Sequence, residues 1–258
     1  LDLAEGLGRA GVATSLVVLG PSPSAAQLAA AEAIPSVEVV DTQLPLDWTA
    51  RESAEVMESA AAIRGLARGL GVDLIHLNSP ALAALGGFSA PVVGACHSCL
   101  ATWWGAVKDS PLPEDFRWRT RLLWKGLHAC DALIAPTRAF AQETARAYDV
   151  APPRCVWNGR AAIAAGPLAR EEIVFTSGRL WDEGKNAGVL EAAAAKMAAP
   201  LYAAGPLAGP NGATASLRGL QTLGPLSPQA VADWLRRSAV YVSAARYEPF
   251  GLGVLDAG

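Results

Sequence analysis

Two trains of short apolar runs, each run followed by an alanine- and leucine-rich helical stretch, constrain this chain more than anything else in it. "ATSLVVLG" (13–20), "SVEVV" (36–40), "VDLIHLN" (72–78), "PVVGACHS" (91–98) and "DALIAP" (131–136) are continuous rather than alternating. That is the pattern of strands covered on both faces. Helical spacing fills 51–71, 119–130 and 137–150. The first of these has its acids early, arginine late and Gly71 last, which suits the helix dipole and a C-cap. Thr137, after Pro136, is placed to cap the third. The rhythm breaks over 151–172, rich in Pro, Gly and Ala, and then resumes. Strands are predicted at 172–178, 200–205 and 239–245, with helices at 186–198 and 227–238. Two βα series joined by a linker predict an α/β protein of two Rossmann-like domains, 1–165 and 166–258. In such sheets ligands bind beyond the carboxyl ends of the strands, so chemistry is sought in the loops that follow them.

Composition narrows the function classes. Hydrophobic residues make up 52% and charged residues 17%, enough for a core and too apolar for disorder. A net charge of −3 leaves no basic footprint for nucleic acid. The apolar runs are interrupted well short of roughly 18 residues, so no transmembrane helix is expected. The opening "LDLAEGLGRAG" has two acids and no basic region of the kind a signal peptide carries. Four cysteines in 258 residues fit a reducing, cytoplasmic setting. Cys96-His97-Ser98-Cys99 lacks the second pair that a zinc site needs. It reads as buried inert thiols, with a thioredoxin-like dithiol as the alternative. "GLGRAG" (6–11) has the letters of a dinucleotide fingerprint in the wrong order of elements. A helix tail precedes it and a strand follows, so the glycines are read as ending a helix.

Three strand-end loops hold candidate residues. His97 closes "PVVGACHS", whereas His76 and His128 read as packing and helix residues. "TSGRLWDEGKN" (176–186) runs from a strand into a helix and carries Arg179 and Lys185, two cations near a helix start that suit a diphosphate. "RYEPFGLGVLDAG" (246–258) follows the last strand. Pro249 and Gly251 shape a tight turn, a helix is predicted from about Gly251, and the acids Glu248 and Asp256 bracket it about two helical turns apart.

Glu-Pro-Phe-Gly followed by an acid resembles the E-x7-E signature of retaining GT-B glycosyltransferases, especially family 4. "SGRLWDEGKN" resembles that family's donor loop, and "HACDALIAPTRAFAQETARAYDV" with "VWNGR" resembles the segment and turn that precede it. The resemblance implies a metal-independent transfer from a nucleotide-diphosphate sugar, a co-substrate rather than a cofactor, to a glycan, lipid or small-molecule acceptor. By the same resemblance Arg179 and Lys185 neutralise the donor diphosphate, and Glu248 bonds hydroxyls of the transferred sugar. Amides around Phe250, Gly251 and Leu252 face sugar and phosphate, Asp256 bonds the ribose, and His97 contacts the donor from the first domain.

Two departures accompany the resemblance. Asp256 stands where the family has Glu. The chain also opens in what reads as the helix after the family's first strand and stops short of its later βα units, so a GT-B fold lacking pieces at both ends is expected. A sugar-nucleotide epimerase on the same architecture and a non-catalytic nucleotide-sugar-binding protein are the alternatives. "TWWGAVK" (102–108) and "DFRWRTRLLWKG" (115–126) interleave tryptophan with cations. They read as a helix face with tryptophans packed inward, as a 103–118 loop lining the acceptor pocket, or as a peripheral contact with the inner membrane face.

Overall fold

All pairings between the strands named below are parallel. A computed structural model describes residues 1–160, 169–210 and 212–258. The chain divides into two units, one of residues 1–101 with 112–161 and one of 102–111 with 162–258. The 165/166 boundary read from the sequence lies outside the described residues. Among those residues no helix is long and apolar enough to cross a membrane.

In the first unit β1 (Thr14–Val18) pairs with β2 (Val37–Asp41). A second sheet takes β3 (Ile75–Leu77), β4 (Val92–Ala95), β5 (Ala132–Ala135) and β6 (Arg154–Cys155) in chain order. Its helices are α1 (Asp2–Arg9), α2 (Ala25–Glu32), α3 (Ser53–Leu70), α5 (Arg117–Ala129) and α6 (Arg138–Tyr148). Leu100–Val107 forms α4, which groups with the second unit from Thr102 on. The glycines of "GLGRAG" do end a helix: Gly6 and Gly8 lie in α1 and Gly11 turns the chain into β1. Thr137 caps α6 by accepting the Phe140 N–H. Val56, Ala60 and Ile63 bury one face of α3, and Leu122, Leu123 and Leu127 one face of α5. A Cβ on Gly126 would stand 1.9 Å from the Pro80 carbonyl oxygen, so α5 meets the 3₁₀ turn Pro80–Leu85 backbone to backbone.

The second unit orders its strands β10-β7-β8-β9: β7 is Glu171–Ser177, β8 Leu201–Ala204, β9 Gln221–Gly224 and β10 Ser238–Tyr241. α7 (Ala187–Ala194), α8 (Pro228–Arg237) and α9 (Leu252–Ala257) accompany them. Val174, Leu180, Leu190, Leu201 and Leu220 form one buried cluster. Phe175, fully buried, stacks on Trp234 at 5.7 Å, and Tyr202 meets the same indole at 4.6 Å.

Several expectations are corrected. The stretch read as a 103–118 loop begins as α4, because two tryptophans and a glycine hide its helical spacing. The linker holds β6, and β9 was not expected, since Gln221 and Thr222 break the apolar pattern. α2 was missed although Ser24 and Gln27 form a capping box, a signal legible in the letters. Strand β3 and helix α7 are shorter than their apolar runs.

Candidate functional site

The second sheet reverses its strand order at one place. From β7 the chain steps outward to β8 and β9, then returns across β7 to place β10 on its other side. Loops leaving two neighbouring parallel strands in opposite directions open a crevice between them, the usual ligand site of an open α/β sheet. Here those loops are 178–186 after β7 and 242–251 after β10.

The first loop is laced together from within. Gly205, at the end of β8 with φ +137°, approaches so closely that a Cβ would lie 1.8 Å from the Gly178 carbonyl oxygen. Asp182 is buried and its carboxylate accepts from three donors. Oδ1 accepts the Gly184 N–H at 2.8 Å and the Trp103 indole N–H at 3.0 Å. Oδ2 accepts from the Arg179 guanidinium at 3.1 Å. The Gly184 carbonyl in turn accepts the N–H groups of Arg246 and Tyr247 at 2.9 and 3.2 Å, and Asn186 donates to the Ala244 carbonyl at 3.2 Å. The 178–186 loop and the β10 exit thus hold each other. α4 adds a hydroxyl contact between Thr102 and Tyr247 at 2.8 Å.

Lys185 Nζ lies 2.5 Å from Glu248 Oε2. The two side chains are 21% and 33% exposed, withdrawn enough for the pair to matter and open enough for a ligand to reach it. Glu248 Oε1 also accepts the Gly251 N–H at 3.2 Å. Gly251 caps α9 with φ +91°, a conformation that strains any residue with a Cβ. Phe250 is half-buried in this turn, Leu252 is exposed, and Asp256 is half-buried in the last turn of α9.

Lys185 and Glu248 therefore meet directly. Arg179 and Lys185 do not share a partner: the first is held by Asp182, the second by Glu248. Asp182 and Trp103 were missed by the sequence reading. Asp182 has a local signal, an acid two residues before a glycine whose amide it accepts. Trp103 lies 79 positions away and has none.

In the first unit His97 stands at the exposed turn after β4. Its Nε2 is 3.2 Å from Asn78 Oδ1, and His76 Nε2 is 3.3 Å from the same oxygen. An amide oxygen only accepts, so each ring donates to it. His76, read as packing, is exposed at the middle of β3, where alternation turns it to the face opposite buried Ile75 and Leu77. Partial desolvation, then the neighbouring His76, pull the His97 pKa below its ordinary 6.5. Asp47 was also missed; burial raises its pKa against the opposing pull of Ser79 and Arg119. Cys96 and Cys99 are buried free thiols, and the contact with Cys99 followed by burial pushes the Cys96 pKa far up, the state of an inert thiol.

Solved structures share this architecture at low identity. TarM of S. aureus superposes with a TM-score of 0.57 at 14% identity, over 77% of this chain and 42% of TarM. Glycyrrhiza uralensis UGT73P12 gives 0.54 at 12%, over 93% of this chain and 68% of that one. Phytolacca americana UGT2 gives 0.54 at 12%, over 99% and 73%. These likenesses establish the GT-B fold. The chain spans less than half the length of TarM. No curated protein matches the sequence. The pattern described as Glycosyltransferase Family 4 matches residues 1–160, well over half of the 258, and the chain belongs to that family.

Proposed function

We propose that the protein transfers a sugar from a nucleoside diphosphate donor to an acceptor hydroxyl with retention of anomeric configuration. The supporting observation is the Lys185–Glu248 pair beside the strand-order reversal of a parallel sheet, in a chain of this family. Arg179 and Lys185 take the diphosphate, whose charge grows as the nucleotide leaves; cations placed there favour the transition state over the ground state. In the free protein Glu248 occupies Lys185. A donor phosphate that draws Nζ away frees the carboxylate for hydroxyls of the transferred sugar, so binding at one end of the donor readies the other. Asp182 holds Arg179 from a buried position, and Trp103 holds Asp182. Amides of Phe250 and Leu252 line the turn toward sugar and phosphate, that of Gly251 joins them once Glu248, which accepts it in the free protein, turns to the sugar, and Asp256 takes the ribose. His97 is assigned a donor contact on the sequence resemblance.

The reaction is proposed to need no cofactor and no divalent metal, so turnover should survive EDTA. UDP is the first nucleotide to try: TarM was solved with UDP and alpha-GlcNAc-glycerol, and UGT2 with UDP-2fluoro-glucose. The test is incubation with UDP-sugars and glycan, lipid and small-molecule acceptors, following nucleotide release and the anomeric configuration of the product by NMR. An epimerised donor recovered without transfer would make the protein an epimerase. Donor binding with neither outcome would make it a binding protein.

A further inference from the structure

Residues two apart in a strand lie on one face, so His76 in β3 and Asn78 just after it point the same way. β4 runs beside β3 with Gly94 opposite Leu77, which brings the turn after β4 alongside the end of β3. His97, in that turn, reaches the amide oxygen that His76 also reaches: Asn78 Oδ1 is 3.2 Å from His97 Nε2 and 3.3 Å from His76 Nε2. An amide oxygen has two lone pairs, one for each ring. Nε2 is therefore the protonated nitrogen of His97, and Nδ1 keeps the lone pair. Among the described residues Nδ1 has no partner, and the residue is exposed. That the partner is an amide matters. A carboxylate in the same place would also hold Nε2–H, but its charge would favour the imidazolium, whose Nδ1 bears a proton and accepts nothing. Asn78 supplies the acceptor without the charge. The titratable groups around the ring are His76 and, in its own turn, the thiols of Cys96 and Cys99; among the described residues no carboxylate acts on it.

We propose that Asn78 is a positioning residue for His97, fixing the ring in its neutral Nε2–H form so that Nδ1 accepts a hydrogen bond from a sugar hydroxyl. The hydroxyl rests on the donor contact assigned to His97 above; the form of the ring does not. A neutral imidazole free in water exchanges its proton between the two nitrogens, and only one of the two forms has an acceptor at Nδ1. Holding that form before the ligand arrives removes the cost of selecting it on binding.

Nitrogen NMR of the histidine rings, on the full chain without substrate, tests it. Above the pKa of the ring, His97 should show a single form protonated at Nε2. Asn78→Leu should turn that into a mixture of the two forms. Asn78→Asp keeps the shape of the side chain and should raise the pKa of the ring. In transfer assays at neutral pH Asn78→Asp should lower kcat about 3- to 10-fold, the scale for one hydrogen bond between neutral groups, and the loss should recede as pH is raised. A merely structural part for Asn78 would leave the pH profile where it is. In a His97→Gln background Asn78→Asp should change nothing more, because it acts only through the ring. A His97 ring protonated at Nδ1, a ring in Asn78→Leu as uniform as in the parent, or an equal loss from Asn78→Asp in both backgrounds would overturn the proposal. Absence of transfer by the parent chain would overturn the donor reading instead, since the NMR reads the ring with no substrate present.

Discussion

The strand ends of the two units solve different electrostatic problems. After β3 and β4 in the first unit two imidazoles share one amide oxygen, and His97 is pulled toward its uncharged form. After β7 and β10 in the second unit the groups are charged and paired, Arg179 with Asp182 and Lys185 with Glu248. The topologies differ in the same sense. β3 to β6 run in chain order without reversal, whereas the second sheet reverses between β7 and β10, where the charged loops emerge. Cations paired with carboxylates beside that reversal suit a ligand with enough negative charge to displace the carboxylates, and an imidazole pulled toward its uncharged form suits hydroxyls. The comparison also separates kinds of restraint: Asp182 is buried and held by three donors, while Glu248 is half-open and can change partners.

That contrast can be broken experimentally. The largest effect is expected from Glu248→Ala, about 100- to 1,000-fold in kcat, the scale for losing one group that acts on the transition state. Transfer at the parent rate would remove Glu248 from the site. Arg179→Gln should raise the donor KM and lower kcat by about 100-fold together, since a group bonding the diphosphate serves both binding and leaving-group departure. An effect on acceptor KM alone would place Arg179 elsewhere. Trp103→Phe keeps the ring but deprives a buried carboxylate of one donor. A stability loss of about 1–3 kcal/mol in urea is expected, with a several-fold rise in donor KM as Arg179 loosens. Unchanged donor KM would limit Trp103 to a structural part.

The smallest effect is on pH. The folded pKa of His97 lies below its ordinary 6.5, so protonation favours the unfolded chain. Above pH 6.5 the group has no effect. As pH falls from there through the folded value, it destabilises the fold progressively. His97→Gln should flatten the decline of the urea midpoint in that window, and NMR should show the His97 ring titrating below 6.5. A ring titrating above it would undo the neutral half of the comparison.

Much of this was legible in the letters because it is local. Continuous apolar runs gave the parallel strands, Thr137 the start of α6, and Pro249 with Gly251 the turn into α9. Arg179, Lys185 and Glu248 could be picked out because they follow strands. Their pairing could not, since Lys185 and Glu248 are 63 positions apart and meet only once β10 has crossed back beside β7. Trp103 was hidden for the same reason, and its helix because tryptophan and glycine weaken helical periodicity. β9 failed on composition: Gln221 and Thr222 are exposed, so nothing demanded apolar side chains there.

The most direct test of the central claim is a thermal-shift titration of the full protein with UDP, GDP and ADP, repeated on Arg179→Gln with Lys185→Gln. A ligand that binds only the native state raises Tm with its concentration. The account predicts a rise of a few degrees with at least one nucleoside diphosphate, and its loss in the double variant. No rise with any of the three, or the same rise in the variant, would contradict the assignment of these residues to a donor site.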